Sequence, residues 1–511
     1  MPREPVMDAV EWDATVPQVA PAAASRSKII YFLRAAFSFP VALCFALTVL
    51  TVLTVGKRFN DPDLWWHLKV GEIVWATHSI PSADLFSFTT ANHPWVAHEW
   101  LSEVAIYATY LAGGYTGLMI WLCALPSLLF VMVYAVCSLY SGNAKISLLG
   151  GLVAWFFGTV GLAIRPHILG YLFLVAELLV VLLARTRDQR WFWALPALFA
   201  LWVNSHGSWA LGLMVLGIFL ACSFFEWQAG SLVCSRWPAE QRRLLAVSAA
   251  LSVAALIVNP IGWRLPLYPF NVFGKQSESL ANITEWLPLD LLDPRAAVLF
   301  GVAAWFFLMV LLRGTKLRLE ELILLALGFG LAIRHQRMLF VFGILAAPII
   351  CRLLANAWDK YDPVRDLRLA NAVMIGAAVW IIVAAFPNPR QIQSQVIKDS
   401  PVQAVEYIRR TGLKGRMLNG YDFGGYLIWA LPEQKVFIDG RGDIFDWTGV
   451  LAEYGRWATL SEDPKLLLEK YRIDYCLFRK DAPPTRVLGY LPGWKKVYED
   501  QLSVIFVRGA A

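Results

Sequence analysis

The chain has 511 residues, of which 58% are hydrophobic and only 16% charged, against roughly 25% charged in a soluble domain. Its 45 Lys and Arg outnumber its 38 Asp and Glu, leaving a net charge of +7. This composition excludes a single soluble globular domain and a disordered chain. The positive balance calls for no nucleic acid, because cytoplasmic loops of membrane proteins carry Lys and Arg.

Eleven membrane-spanning helices are predicted, over residues 36–56, 114–140, 147–164, 168–184, 191–203, 207–227, 244–259, 296–312, 319–333, 338–351 and 369–386. These apolar stretches approach the roughly 20 residues that cross a bilayer core of about 30 Å. The run at 36–56 is too long for a signal-peptide core and lacks a small-residue cleavage site, so it is expected to stay as the first span. Residues 1–35 are then a cytoplasmic tail. This arrangement puts 18 Lys and Arg in 86 residues of inner loop and 9 in 103 residues of outer loop. That is the bias the positive-inside rule requires. The transmembrane domain occupies 36–386 with a long first outer loop at 57–113, and an odd span count sends 387–511 outside.

Residues 387–511 change in character. A helix is expected from Ser400-Pro401 onward, strands at 416–419, 435–438 and 474–478, a short helix from Tyr421, a helix at 463–471 and a closing hairpin near 495–507. Strands alternating with helices imply a small α/β domain. Five of the seven cysteines lie in apolar runs and Cys476 is alone in the C-terminal region, so no disulfide framework is expected.

All seven histidines fall on the outer side. Three short outer turns read Arg165-Pro-His167, Asn204-Ser-His206 and Arg334-His335-Gln-Arg337. A minimal turn needs none of these residues, and polar groups at membrane depth are costly unless they face a cavity. The first outer loop opens Asn60-Asp61-Pro62-Asp63-Leu-Trp-Trp66-His67 and continues to His98-Glu99-Trp100. Asp61 and Asp63, with His67, could hold a divalent cation, or one carboxylate could take a proton. Equally, Asp61 or Asp63 could cap the helix that follows, with Pro62 in its first turn. The loop's tryptophans read as an interfacial aromatic belt, or as a platform for a sugar ring or lipid head group. Arg165, Arg334 and Arg337 are candidate phosphate binders, since Arg grips phosphate with a planar fork. Each could instead pair with Asp61, Asp63 or Glu99.

This layout resembles the GT-C superfamily of membrane glycosyltransferases. The resemblance rests on the acidic pair just past span one, the many spans and the outer C-terminal domain. Within it, Asp61-Pro-Asp63-Leu-Trp-Trp-His67, Ile80-Pro-Ser-Ala-Asp84 and Trp95-Val-Ala-His98-Glu99-Trp100 are similar to a bacterial branch. The resemblance implies a polyprenyl-phosphate-linked sugar donor, an acceptor that is a glycan, lipid or protein, contact with membrane lipids, and residence in the inner membrane of a bacterium. It gives Asp61, Asp63 and Glu99 catalytic roles. It implies a divalent metal, Mg or Mn, at Asp61, Asp63 and His67. Trp66, His98, Arg165, His167, Asn204, His206, Arg334, His335, Arg337, Tyr421 and Asp422 become candidate substrate contacts. Tyr421-Asp422-Phe-Gly424 looks like a loose form of the Trp-Trp-Asp-Tyr-Gly motif of oligosaccharyltransferases, without the Trp pair that helps to read a peptide sequon. The other class considered is a non-catalytic protein that carries lipid-linked glycans for an export assembly.

Overall fold

The computed structural model describes residues 26–275 and 286–509. The expected tail at 1–35 lies outside the described residues as far as position 25. A helix lies at each of the eleven predicted segments. Six stretches are long and apolar enough to cross a membrane: Trp100–Ser141, Ala144–Gly161, His167–Thr186, Pro294–Leu312, Gln336–Leu353 and Arg368–Ala385. The other five helices have 12 to 17 residues: Phe39–Val55, Ala194–Ser205, Trp209–Cys222, Ala239–Ala255 and Leu319–Arg334. The span expected at 191–203 begins instead as a 3-10 turn, Gln189–Trp193.

The bundle is built around Leu339–Leu353, which is buried continuously from Leu339 to Cys351. It packs against Ala144–Gly158, Leu319–Arg334 and Trp100–Ser141. The helices Pro294–Arg313 and Arg368–Ala385 instead expose apolar side chains such as Phe307, Leu311, Val373 and Trp380, a surface suited to lipid. An unbroken 42-residue helix would be about 63 Å long, twice the bilayer core. Trp100–Ser141 breaks at Gly114, whose φ of 55° and ψ of −142° are open to glycine alone. The predicted span began at 114, and the stretch before it carries Glu103 along the first loop.

Three strands were not expected. Trp227–Ala229 (β1) and Leu232–Cys234 (β2) form a hairpin that pairs with Leu317–Arg318 (β3). The span placed at 207–227 is therefore too long: its helix ends at Cys222.

Beyond the last apolar helix come helices Pro389–Asp399 and Val402–Thr411. A four-stranded sheet follows, from Met417–Asn419 (β4), Tyr475–Arg479 (β5), Trp494–Glu499 (β6) and Ser503–Arg508 (β7), in the order β4-β5-β7-β6. Only the β4–β5 pair is parallel. The strand expected at 435–438 does not join this sheet. Its backbone pairs instead with the first loop: Phe88 N donates to Val436 O at 3.1 Å and Val436 N to Phe86 O at 3.0 Å.

The first-loop helix Leu64–Thr77 lies between Trp100–Ser141 and the helix Tyr421–Ala430. The fit to the C-terminal segment is close. A Cβ on Gly425 would collide with the carbonyl of Pro62, and one on Gly440 with the carboxylate of Asp63.

Candidate functional site

A cavity of about 570 Å³ opens where the first loop, the turns at Arg165 and Arg337, and the C-terminal segment meet. Its lining carries the polar residues Asp63, His67, His98, Glu99, Arg165, His167, His206, Arg337, Tyr421 and Asp443. It also carries the apolar side chains of Leu174, Leu211, Met214, Leu331 and Val341 from the membrane helices. Several of the residues expected to share one face of the membrane thus share one cavity.

Asp63 occupies the N-cap of Leu64–Thr77, but its side chain makes no capping bond. Both carboxylates turn to Arg165 instead. Arg165 Nε donates to Asp61 Oδ2 at 2.6 Å, and its Nη1 lies 3.0 Å from Asp63 Oδ2. Asp61 Oδ1 also accepts from Asp63 N at 2.9 Å, so the turn Asp61-Pro-Asp63 is fixed from within. Pro62 precedes the helix rather than entering its first turn. Of the two acids, Asp63 lines the cavity.

His67 is not brought to the two aspartates. Its Nδ1 lies 3.0 Å from Glu103 Oε1, and both residues are buried. Ligand atoms of His67, Glu99 and Glu103 lie within 4.8 Å of one another, and Glu103 Oε2 is buried with no hydrogen-bond partner among the described residues. One imidazole, two carboxylates and an unused oxygen fit a divalent cation. This mixed donor set suits Mn better than Mg. Sequence reasoning missed Glu103. Its spacing of four from Glu99, which puts both on one helix face, was the available signal.

Glu99 also sits 3.7 Å from His98 Nε2 and 3.4 Å from His206 Nε2. Burial raises the Glu99 carboxyl to about 8, with Arg337 and Arg165 opposing. Burial likewise lowers His98 to about 4 and holds His67 and His206 well below the usual histidine range. With no cation bound, burial therefore favours neutral His67, His98 and His206 and a protonated Glu99 at neutral pH, and a cation would take the place of that proton.

The guanidinium of Arg337 lies 4.6 Å over the Trp286 ring. His167 Nε2 is 2.7 Å from Gly161 O, and His206 Nδ1 is 2.7 Å from Ser208 Oγ. Both keep a ring edge at the cavity. Trp66 lines it too, with an indole N–H that has no partner among the described residues.

Four candidates are placed elsewhere. Asn204 accepts from Trp100 Nε1 and donates to Ala200 O and Val258 O, tying helix ends together. His335 Nδ1 meets Trp286 O at 2.7 Å. Arg334 is exposed outside the cavity lining. Asp422 pairs with Arg479 at 3.2 Å, also away from the cavity. The loop tryptophans Trp65, Trp66 and Trp95 are buried rather than forming a belt; Trp75 is exposed.

The charged cluster Asp439, Arg441 and Asp443, which the sequence places just after the Tyr421 turn, gains partners that the sequence did not name. Tyr268 donates to Asp443 Oδ2 at 2.7 Å, and its ring stacks on His98 at 4.1 Å. Burial lifts Asp443 to about 6, with the Tyr268 bond opposing. Behind it, Arg441 bonds Asp84 Oδ1 at 2.7 Å and grips Asp439 at 2.8 and 2.7 Å, with all three side chains buried completely. This triad clamps the C-terminal segment to the first loop.

No family model and no curated protein matches the chain. Solved structures do. The Archaeoglobus fulgidus oligosaccharyltransferase tethered to an acceptor peptide with the NVT sequon matches at TM-score 0.53 and 13% identity. The match covers 87% of this chain and 70% of that one. ArnT from Cupriavidus metallidurans bound to undecaprenyl phosphate matches at TM-score 0.50 and 12% identity, over 95% of this chain and 98% of that one. The chain has the GT-C fold. AglB from A. fulgidus, in complex with an inhibitory peptide and a dolichol-phosphate, shares this GT-C architecture at TM-score 0.50 and 12% identity, over 85% of this chain and 69% of that one.

Proposed function

We propose that this protein is a GT-C glycosyltransferase that moves a sugar from a polyprenyl-phosphate-linked donor to an acceptor on the outer face of a bacterial inner membrane. The observation that carries the proposal is the lining of two kinds in one cavity: the cationic Arg165 and Arg337 together with the apolar Leu174, Leu211, Met214, Leu331 and Val341. A polyprenyl phosphate joins the two matching kinds of chemistry.

In transfer, the bond from the sugar's anomeric carbon to the phosphate oxygen breaks and its electron pair leaves with the phosphate. The acceptor heteroatom bonds to that carbon and gives up its proton. The sugar carbon becomes oxocarbenium-like, as in glycoside hydrolysis. Charge develops on the phosphate, where fixed positive charge is usually the largest catalytic contribution. Arg337 and Arg165 supply it. As Arg165 turns to the phosphate, Asp63 is released from its ion pair and takes the acceptor proton, while Asp61 holds the loop. His67, Glu99 and Glu103 would hold a divalent cation, which would supply additional positive charge to the site.

The test is genetic and chemical together. A strain without the protein should accumulate a lipid-linked sugar and lose that sugar from a surface glycan, both read by mass spectrometry. Asp63→Asn should lower transfer by about 100- to 10,000-fold while the protein still inserts and retains undecaprenyl phosphate. Arg337→Ala should mainly weaken that retention. Full complementation by the Asp61→Asn/Asp63→Asn double variant would leave the non-catalytic carrier as the better reading.

A further inference from the structure

A second and larger cleft, of about 1590 Å³, lies on the other side of a thin wall from the donor cavity. Trp95 and Tyr268 line both spaces, so the wall between them is one aromatic layer thick in places. Trp100, Trp263 and Trp447 complete an aromatic lining. Trp263 is 65% exposed, and the indole N–H of Trp447 has no partner among the described residues. His78, His93, Arg264 and Asp446 supply hydrogen-bonding groups in the same cleft.

We infer that this cleft is the acceptor site and that the acceptor is a saccharide chain. The inference rests on the glycosyltransferase reading above and names its second substrate. A sugar ring offers an apolar C–H face to an aromatic plane and hydroxyls around its edge. It therefore matches flat indoles with polar groups between them. The lining comes largely from loops and helix ends near 78–82, 93–96, 260–264 and 446–447 rather than from long apolar helices. That composition favours a polar chain over a second lipid tail. The volume exceeds the roughly 300–1,000 Å³ of a single small-ligand pocket, as a chain of several rings requires. The position completes the argument. Tyr268 faces the cleft and bonds Asp443, which faces the donor cavity, so the reacting end of the chain meets the donor across that pair.

The full chain in detergent is applied to an array of bacterial surface oligosaccharides, with peptides printed as controls. Wild type should bind an oligosaccharide class. Trp263→Ala and Trp447→Ala should each weaken that binding roughly tenfold or more, as when an aromatic anchor is lost. Trp263 is exposed, so its removal leaves the fold unchallenged. Arg337→Ala should lose undecaprenyl phosphate and keep the oligosaccharide. Binding only to peptides, no oligosaccharide binding, or binding that survives the double Trp variant would overturn the inference. So would oligosaccharide binding lost in Arg337→Ala but normal in the Trp variants, since the glycan would then sit in the donor cavity. Retention of undecaprenyl phosphate is measured separately, so failure of the donor reading is distinguishable from failure of this one.

Discussion

Replacing Arg441 by Met should detach the C-terminal segment from the first loop. Arg441 is held by Asp84 and Asp439, and none of the three side chains reaches solvent. Its guanidinium also lies 5.0 Å from the centre of the Trp95 ring. Removing one partner of a buried ion pair costs about 3–5 kcal/mol, because the remaining charge stays buried without compensation. Here two carboxylates would be stranded, so the upper end of that range applies. A unit of 100 to 150 residues loses roughly 4 °C of melting temperature per kcal/mol, so melting of this segment should fall by roughly 20 °C. The pH dependence has a definite sign. Burial pushes the Asp84 carboxyl upward, but Arg441 and the Ser87, Thr90 and Phe86 hydrogen bonds outweigh it and hold the carboxyl below its usual value. In wild type, this contribution is therefore present at neutral pH and lost as pH falls through the lowered value. Without Arg441, burial dominates at Asp84 and its stranded carboxyl prefers to be protonated, so the variant should recover stability as pH drops from 7.5 toward 5. The assay is thermal unfolding of the full chain in detergent with limited proteolysis after the first loop. A triple variant Asp84→Asn, Asp439→Asn, Arg441→Met should regain most of the loss. An unchanged melting curve for Arg441→Met, or a loss that deepens at low pH, would refute the reasoning.

Three further outcomes are expected. Acceptor affinity should weaken as pH falls through about 6, where Asp443 takes up a proton and loses the negative charge that makes it a strong acceptor; an acceptor-KM profile measures this, and Asp443→Asn should flatten it. Purified protein stripped with chelator should bind close to one Mn equivalent by calorimetry, and Glu103→Gln should abolish that binding; no uptake by wild type would remove the cation from the site. Reporter fusions after residues 188 and 511 should report opposite sides of the membrane, and matching signals would overturn the eleven-span topology.

Much of the architecture could be read from the sequence because it is a local property. Long apolar runs mark helices, and the break at Gly114 coincides with the predicted start of a span. Of the polar turns, Arg165, His167, His206 and Arg337 line one cavity, and Arg165 reaches Asp61 across 104 residues of sequence. What escaped depends on partners that no local pattern names. Asn204 and His335 looked like substrate contacts, yet they hold backbone carbonyls. Residues 435–438, Lys-Val-Phe-Ile, read as a strand, but their partner is the first loop. The regrouping of His67 with Glu103 follows from the packing of Leu64–Thr77 on Trp100–Ser141. The Asp84–Arg441 bond joins positions 357 residues apart.

The tight seam at Gly425 and Gly440 bears on how molecules enter. There is no room for even a methyl group between the C-terminal segment and Pro62 or Asp63, and the Arg441 triad bolts the two sides together. Such a joint does not serve as a door. The proposed function then calls for entry that leaves the seam closed, with the donor passing Met214, which is 49% exposed at the donor cavity, and the acceptor passing Trp263, which is 65% exposed at the second cleft. A lipid-borne reactant and a water-borne one could then approach the same carboxylates from opposite directions, each without displacing the other.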